Sequence, residues 1–464
     1  MKTSIRDLLE QQSGQQFELH DRYLNTQLVN VLRTIGFDRN YVRAEGPYLY
    51  DDKGDRYLDL LSGFGVFAVG RNHPTVVQAL RDVLDANLAT MVQMDVSVLA
   101  GVLAERLLAT LPDSLDKVFF CNSGTEAVES AIKFARYATR RPGLAYCDRG
   151  FHGLSLGALS VNGDDVFREG FGPLLPETHR IPFNDLSALE RVLAQREVAA
   201  FIVEPVQGHG VNIPSSGYLR EAALLCRKHG TLFVADEIQS GLGRTGRMWA
   251  FEHWDVEPDM VLSAKALSGG FAPVGAVALR KKTFDALFSN MVRAPIHGST
   301  FAKNNLSMAA GIATLEVLKE DDLVDNAAKI GEAILNDLRT LVGRYSFVKD
   351  VRGIGMMQAI EFAAPNRLKH KAAWKLLDAA QKGLFAQLVT VPLFGRHRIL
   401  SQAAAHDLAV VKFLPPLCIG EEDRRWIVRA VEATVADTEN VGSAIWDLGK
   451  NLASAALRTK AGRS

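Results

Sequence analysis

Cysteine is scarce and scattered, with Cys121, Cys147, Cys226 and Cys418 the only four in 464 residues. No two stand at metal-ligand spacing, which argues against a zinc cluster and a disulfide framework and fits a reducing compartment, the cytoplasm. An excess of either charge is equally absent. Lys plus Arg and Asp plus Glu number 53 each, a formal net charge of +0, so the chain lacks the basic field that nucleic acid or an anionic membrane selects. Its apolar runs stop short of the ~20 residues a bilayer demands. The opening MKTSIRDLLEQQSGQQFELHDRY is too polar for a secretory leader. Internal repeats and low-complexity stretches are missing too. What remains is 47% hydrophobic and 23% charged, the balance of a globular chain that can bury a large core. At this length a single core stops growing, so two lobes or more are expected.

From His20 to Ile35, the residues Leu24, Leu28, Val31, Leu32 and Ile35 recur at helical spacing, and GPYLYDDKGDRYLDLLSG then reads as a hairpin with a Gly-containing turn. From Pro74 onward helical and strand patterns alternate. HPTVVQALRDVLDANL reads as helix, KVFFCNSG as strand and turn, TEAVESAIKFARYATRR as helix, and VAAFIVEPV, TLFVADEI and DMVLSAKAL as apolar strands. Such alternation implies an α/β fold, a mostly parallel sheet covered by helices on both faces. A helix from about Asn304, broken near Lys319 to Asp322, leads out of this lobe. Beyond it the pattern predicts a strand near Val351 to Phe362, a helix, apolar segments at Leu388 to Pro392 and Val410 to Leu414, a last helix from about Glu421, and a frayed tail, LASAALRTKAGRS. The expected division is an N-terminal segment with part of a small domain at 1–73, a large domain at 74–340, and a C-terminal small domain at 341–464.

Three segments could carry chemistry. In CNSGTEAVESAIK, the residues Asn122, Ser123, Gly124 and Thr125 join a strand to a helix whose first turn holds Glu126. This arrangement offers unpaired N–H groups to an anion such as a phosphate, although a plain helix N-cap explains Ser123 or Thr125 as well. LFVADEIQSG ends a strand in Asp236 and Glu237, at the end of a parallel sheet where ligands bind. A charge partner for a protonated ring nitrogen, an N-cap, an ion pair and a metal carboxylate are all open for Asp236; the metal reading lacks His or further Asp nearby, and no metal is expected. DMVLSAKALSGG ends a strand in Lys265. A lysine leaving an apolar strand is expensive to bury charged and loses its proton readily, as a Schiff-base lysine must, whereas most lysines are solvated surface residues. An anion cup, a strand-end carboxylate and a strand-end lysine in this order suit a phosphorylated aldehyde with a basic ring nitrogen.

At this point the sequence resembles the class III aminotransferases of the fold-type I pyridoxal-phosphate enzymes, which include ornithine, 4-aminobutyrate and putrescine aminotransferases. The resemblance runs from about Gly46 to Val435, and NSGTEA, FHG, EPVQG, ADEIQSGLGRTG, AKALSGG and HGSTF occur in family order. It implies a large domain with a mostly parallel sheet and a smaller α+β domain built from both chain ends. Pyridoxal 5'-phosphate is the implied cofactor, held by Lys265 as a Schiff base with Asp236 at the ring nitrogen. Ser123, Gly124 and Thr125 would cradle the phosphate, and Phe151 and Ile238 would flank the ring. Gln239 would meet the ring hydroxyl, and His152 would sit beside the ring or merely pack or cap. Ser299 and Thr300 of HGSTF would reach the phosphate of the neighbouring subunit, which implies a homodimer with shared sites. The implied reaction moves an amino group from an amine donor to an oxo acid by a ping-pong route, with Lys265 as base and acid. An aminomutase, racemase or decarboxylase of the same fold and a non-catalytic binding protein are the alternatives.

The chain departs from the family pattern at the carboxylate site. Where relatives read roughly R-x-x-P-P-L, with the Arg resting on the Glu of EPVQG, this chain reads VVKFLPPL, so Lys412 stands opposite Glu204. Lys412 loses the planar two-pronged grip of Arg. It could bind an acid more loosely, mark a donor without an α-carboxylate, or only pair with Glu204. Phe64 and Phe67, with Met91 and Met94, suggest an apolar pocket for a diamine, an ω-amino acid or a longer-chain amine, and each is as easily core. AKNN after HGSTF replaces a more usual GGNP, for which the sequence offers no account.

Overall fold

The N-terminal hairpin signal becomes a meander of β1 (Tyr41–Glu45), β2 (Tyr48–Asp51) and β3 (Arg56–Asp59) in the computed structural model of the chain, which describes residues 4–92, 95–364, 384–404 and 409–440. Asp51 closes the β2–β3 turn by accepting from the N–H groups of Lys53 and Asp55. The apolar stripe at 20–35 divides into two helices, Gln16–Tyr23 and Thr26–Ile35, because Asn25 caps the second through the Leu28 N–H. Met94, the helix expected after Phe362 and the tail lie outside the described residues.

The large lobe is a seven-stranded sheet of β4 (Lys117–Cys121), β5 (Gly143–Cys147), β6 (Thr178–Ile181), β7 (Val198–Val203), β8 (Leu232–Asp236), β9 (Met260–Ser263) and β10 (Gly275–Leu279). Their order is β4-β10-β9-β8-β7-β5-β6, with β10 antiparallel to both neighbours and the others parallel. Alternate residues of each strand enter different cores. In β7, Phe201 and Val203 belong to one buried cluster, while Ala200 and Ile202 belong to another that includes the buried face of the helix Gly124–Thr139. Two buried faces require an apolar residue at every position, which is why these strands read as unbroken apolar runs.

The expected break in the long helix falls between Asn305–Glu320 and Leu323–Arg339, where Asp322 takes a positive φ of 50°. Asn304 of the AKNN segment caps the first of these by accepting from the Ser307 N–H at 2.9 Å, which gives that segment a physical role. The smaller lobe uses both ends of the chain. Strands β11 (Val348–Ile354) and β12 (Met357–Phe362) pair, β13 (Ile399–Leu400) adds in parallel to β3, and β14 (Gln402–Ala403) pairs with β15 (Val410–Phe413), which borders β12. The apolar segment at 388–392 is part of the helix Gln387–His397, which tolerates Pro392 in its interior. A last helix spans Glu421–Asn440.

The helix Leu323–Arg339 rests on the β11–β12 turn through a bare backbone contact. A Cβ on Gly331 would lie 2.3 Å from the Gly355 carbonyl oxygen, and Gly355 cannot retreat, since its own Cβ position is 2.4 Å from the Thr245 backbone. Alanine gains about 1 kcal/mol of helix propensity over glycine, while overpacking against immovable backbone costs up to about 3 kcal/mol. Gly331→Ala should therefore lower the unfolding midpoint in calorimetry, and an unchanged or raised midpoint would contradict this packing.

Candidate active site

Parallel strands deliver their carboxyl ends to one edge of the sheet, and the loops leaving β4, β5, β7, β8 and β9 meet there around a cavity of about 780 Å³. Antiparallel β10 begins at the same edge, so the approach to it, Phe271 to Val274, supplies another wall. The smaller lobe contributes a roof from Gln402, Ala403, Ala404 and Lys412.

At the end of β4, Ser123 caps the helix Gly124–Thr139 through the Glu126 N–H, and Glu126 reaches back to the Asn122 N–H at 2.7 Å. The N–H groups of Gly124 and Thr125 have no acceptor among the described residues and stand at the positive end of the helix. Gly124 packs closely under Ile238, whose side chain a Cβ there would meet at 3.0 Å. The loop after β5 closes over the cup. Gly153, with φ +122°, passes so near Thr125 that a Cβ would fall 2.5 Å from its hydroxyl. This loop is anchored by Glu129, which accepts from the Ser155 hydroxyl and from the Gly157 and Ala158 N–H groups.

Asp236 ends β8, buried, with one oxygen accepting from the Ile238 N–H at 3.1 Å and the other 2.7 Å from His152 Nδ1. Burial works against a charge on His152, but the hydrogen bond and charge of Asp236, with Glu204 behind, outweigh it and hold its pKa above the ordinary imidazole value. On the adjacent strand, Lys265 follows β9 with a backbone φ of +37°, a conformation that β-carbon residues rarely adopt and that marks stored strain. Its Nζ makes no hydrogen bond or ion pair among the described residues. Burial lowers the Lys265 pKa against the opposing pull of Asp236 and Glu204. An anion cup, a buried acid and an unpaired, easily deprotonated amine in one cavity fit a phosphorylated aldehyde with a basic ring nitrogen.

The sequence expectations divide cleanly at this cavity. Its wall includes Phe64, Ser123, Gly124, Thr125, Phe151 and His152, and also Glu204, Ile238, Gln239 and Lys412. Phe67 does not reach it, because glycines at 63 and 270 let its ring pack flat against backbone, with the Arg71 guanidinium 3.9 Å above its face. Met91 is half-buried and outside the wall. Ser299 accepts from the Asn122 side chain at 2.6 Å, whereas Thr300 is exposed; neither lines the cavity of its own chain. The Lys412–Glu204 ion pair, one of the three readings open for Lys412, does not form among the described residues. Glu204 spends its oxygens on the Phe151 and Gly208 N–H groups at 2.9 and 2.7 Å, and Lys412 donates instead to the Gly208 carbonyl and to Gln239 Oε1. Phe167 and His209, which line the mouth with Phe151, went unnoticed in the sequence, as did Glu129. Helical spacing carries no mark that Glu129 holds a loop nearly thirty residues away.

Known proteins resemble this chain in sequence and fold. The profile of the class-III aminotransferase family matches residues 33–435. The aminotransferase PigE of a Serratia species is 33% identical over 90% of this chain, which spans 53% of that longer protein. Ornithine aminotransferase from Toxoplasma gondii superposes with a TM-score of 0.78 at 30% identity, over 90% of this chain and 97% of the other. An amine transaminase from an uncultivated Pseudomonas species, solved with pyridoxal phosphate bound, gives 0.74 at 28% identity over 86% and 94%. Fold and cavity thus define the pyridoxal-phosphate transaminases as a class. The chain belongs to the class-III aminotransferase family.

Glu129 offers a test of the cup independent of chemistry. Glu129→Ala leaves the Gly157 and Ala158 N–H groups and the Ser155 hydroxyl without their charged acceptor, which should cost about 2 kcal/mol in denaturant unfolding. A loss near zero would mean that the loop after β5 is held by something else.

Proposed function

We propose that the chain transfers an amino group from an amine donor to an oxo acid such as 2-oxoglutarate or pyruvate. The observation that supports this most strongly is the Lys265 amine, unpaired among the described residues, in the same cavity as the buried Asp236–His152 pair, at the ends of adjacent strands. When bound, pyridoxal phosphate supplies an aldehyde that takes up the amino group and a cationic ring that draws electrons from the amine-bearing carbon.

Lys265 would hold the aldehyde carbon of that group, and burial, which lowers the pKa of its amine, favours this role. Once displaced by the donor, that amine is free to take a proton from the donor carbon and return it one position away. Asp236 holds the ring-nitrogen proton, and His152 fixes the carboxylate for the task. Ser123, Gly124 and Thr125 receive the phosphate, Phe151 and Ile238 confine the ring, and Gln239 faces its hydroxyl. Phe64 and the other aromatic residues of the mouth favour a donor with an apolar body: a diamine, an ω-amino acid or a longer-chain amine. Water is kept from the reacting carbon by the same walls.

The working unit of this proposal is a homodimer in which Ser299 and Thr300 complete the partner's phosphate cup. The exposed apolar residues Met291, Val292 and Phe301 flank them and support a surface that a second copy covers. Thr300→Ala should then weaken cofactor retention on dialysis without changing the dimer mass in sedimentation. An unchanged cofactor dissociation rate would remove Thr300 from the cup.

Lys265→Ala should abolish both the cofactor's visible absorbance shift and its borohydride-fixed adduct at position 265, and should lower turnover by on the order of a thousandfold or more. Turnover within tenfold of the parent enzyme would sink the assignment. A panel of alkyl amines, diamines, ω-amino acids and α-amino acids, each with pyruvate and 2-oxoglutarate, measures the donor class directly.

A further inference from the structure

The turn of Phe151, His152 and Gly153 bears on the cavity twice, since Gly153 closes over the anion cup and His152 meets Asp236. Each of its residues has an anchor. Phe151 is held by Glu204, which accepts from its N–H, and the other two are held by one side chain outside the family motifs, Asn162. Asn162 Oδ1 accepts from the His152 N–H at 2.6 Å, and Nδ2 donates to the Gly153 carbonyl at 2.8 Å. The partners fix the orientation of the amide, because only its oxygen can meet an N–H and only its nitrogen a carbonyl. Asn162 is wholly buried, so without this turn both groups would go unsatisfied.

Asn162 is itself held from behind. Its N–H donates to the Leu159 carbonyl, its carbonyl accepts from Arg168, and Arg168 also reaches the Tyr146 hydroxyl of β5 at 2.6 Å. The next residue, Gly163, accepts from the Arg149 N–H and donates to the Gly150 carbonyl, in a space where a Cβ would fall 2.4 Å from the Cys147 carbonyl oxygen. The returning limb of the loop is therefore tied to the end of β5, and Asn162 carries that fixed position across to His152. The imidazole has little else to aim it. Nδ1 meets Asp236 Oδ2 at 2.7 Å, while Nε2 is buried with no hydrogen-bond partner among the described residues and lies against Gly150, whose Cβ position is 3.1 Å away. Glu204 and Lys265 are the other charged groups near the pair, and among the described residues neither bonds to the ring. A shift of the backbone at 152 thus turns the ring away from Asp236 with no second polar contact to return it.

We propose that Asn162 is a positioning residue for the reaction: by clamping the backbone of His152 and Gly153 it aims His152 at Asp236, and so sets how firmly that carboxylate holds the ring-nitrogen proton of the cofactor. The inference rests on the transaminase reading. A cationic ring draws electrons from the carbon bonded to Lys265, so the linkage there gives up its own proton at lower pH. Loosening Asp236 weakens the ring charge and moves that proton loss to higher pH.

The test is a double-mutant cycle between Asn162→Ala and His152→Phe in the holoenzyme, read by pH titration of the cofactor's visible absorbance and by steady-state kinetics. Asn162→Ala should raise the midpoint of the absorbance titration by about one pH unit and lower kcat by on the order of tenfold, with KM changed by less than about twofold. Both changes should vanish when residue 152 is already Phe, whereas a loss in the unfolding midpoint, the mark of packing alone, should persist in both backgrounds. An absorbance midpoint unmoved by Asn162→Ala, or moved equally in the two backgrounds, overturns the proposal. Where the alanine variant fails to fold, Asn162→Ser, which keeps a hydroxyl at the site but is too short to span both backbone groups, carries the same comparison with the same two outcomes. Failure of the transaminase reading would show separately, as a holoenzyme with no borohydride-fixed adduct at Lys265.

Discussion

One buried hydrogen bond, 2.7 Å between His152 Nδ1 and Asp236 Oδ2, ties the chemistry to the fold. A carboxylate removed from water is tolerable only if its oxygens are satisfied, and here one is met by the imidazole and the other by the Ile238 N–H. The same backbone amide fixes Ile238 against Gly124, so the acid, the apolar wall and the anion cup are set by one short stretch of chain. Lys265 follows the neighbouring strand, strained and, among the described residues, without a hydrogen-bond partner of its own. Negative charge at the sheet edge is thus held rigidly, and the lysine amine is the member left to react.

That distribution explains what was legible in the sequence. The apolar runs of β7, β8 and β9 announced a doubly covered parallel sheet, and the residues just past their ends, Glu204, Asp236 and Lys265, fell in the cavity as strand-end logic requires. Strands with weaker patterns were not read: β5, β6 and β10 carry small or mixed residues, and the reversal of β10 leaves no local trace. The segment at 388–392 takes no assigned type from the sequence, and it is helical although Pro392 lies inside it, the exception that tertiary packing permits.

The site followed the same rule. Residues whose role depends on the local strand-to-loop transition were visible, and those acting across long separations were not. Glu129 looked like one more polar residue on a helix, and Phe67 looked like pocket because glycines far along the chain, at 270, could not be foreseen beneath its ring. Lys412 and Glu204 suggested an ion pair from their identities, yet the turn at Gly208 supplies closer partners for both.

The cavity has two kinds of wall. Its floor, from Ser123 to Lys265, belongs to the seven-stranded sheet, and its roof, Gln402 to Ala404 with Lys412, belongs to the four-stranded sheet that β12 and β15 anchor. Roof and floor meet where Lys412 donates to Gln239 Oε1 and to the Gly208 carbonyl, so a shift of the smaller lobe is transmitted to the cradle through that side chain.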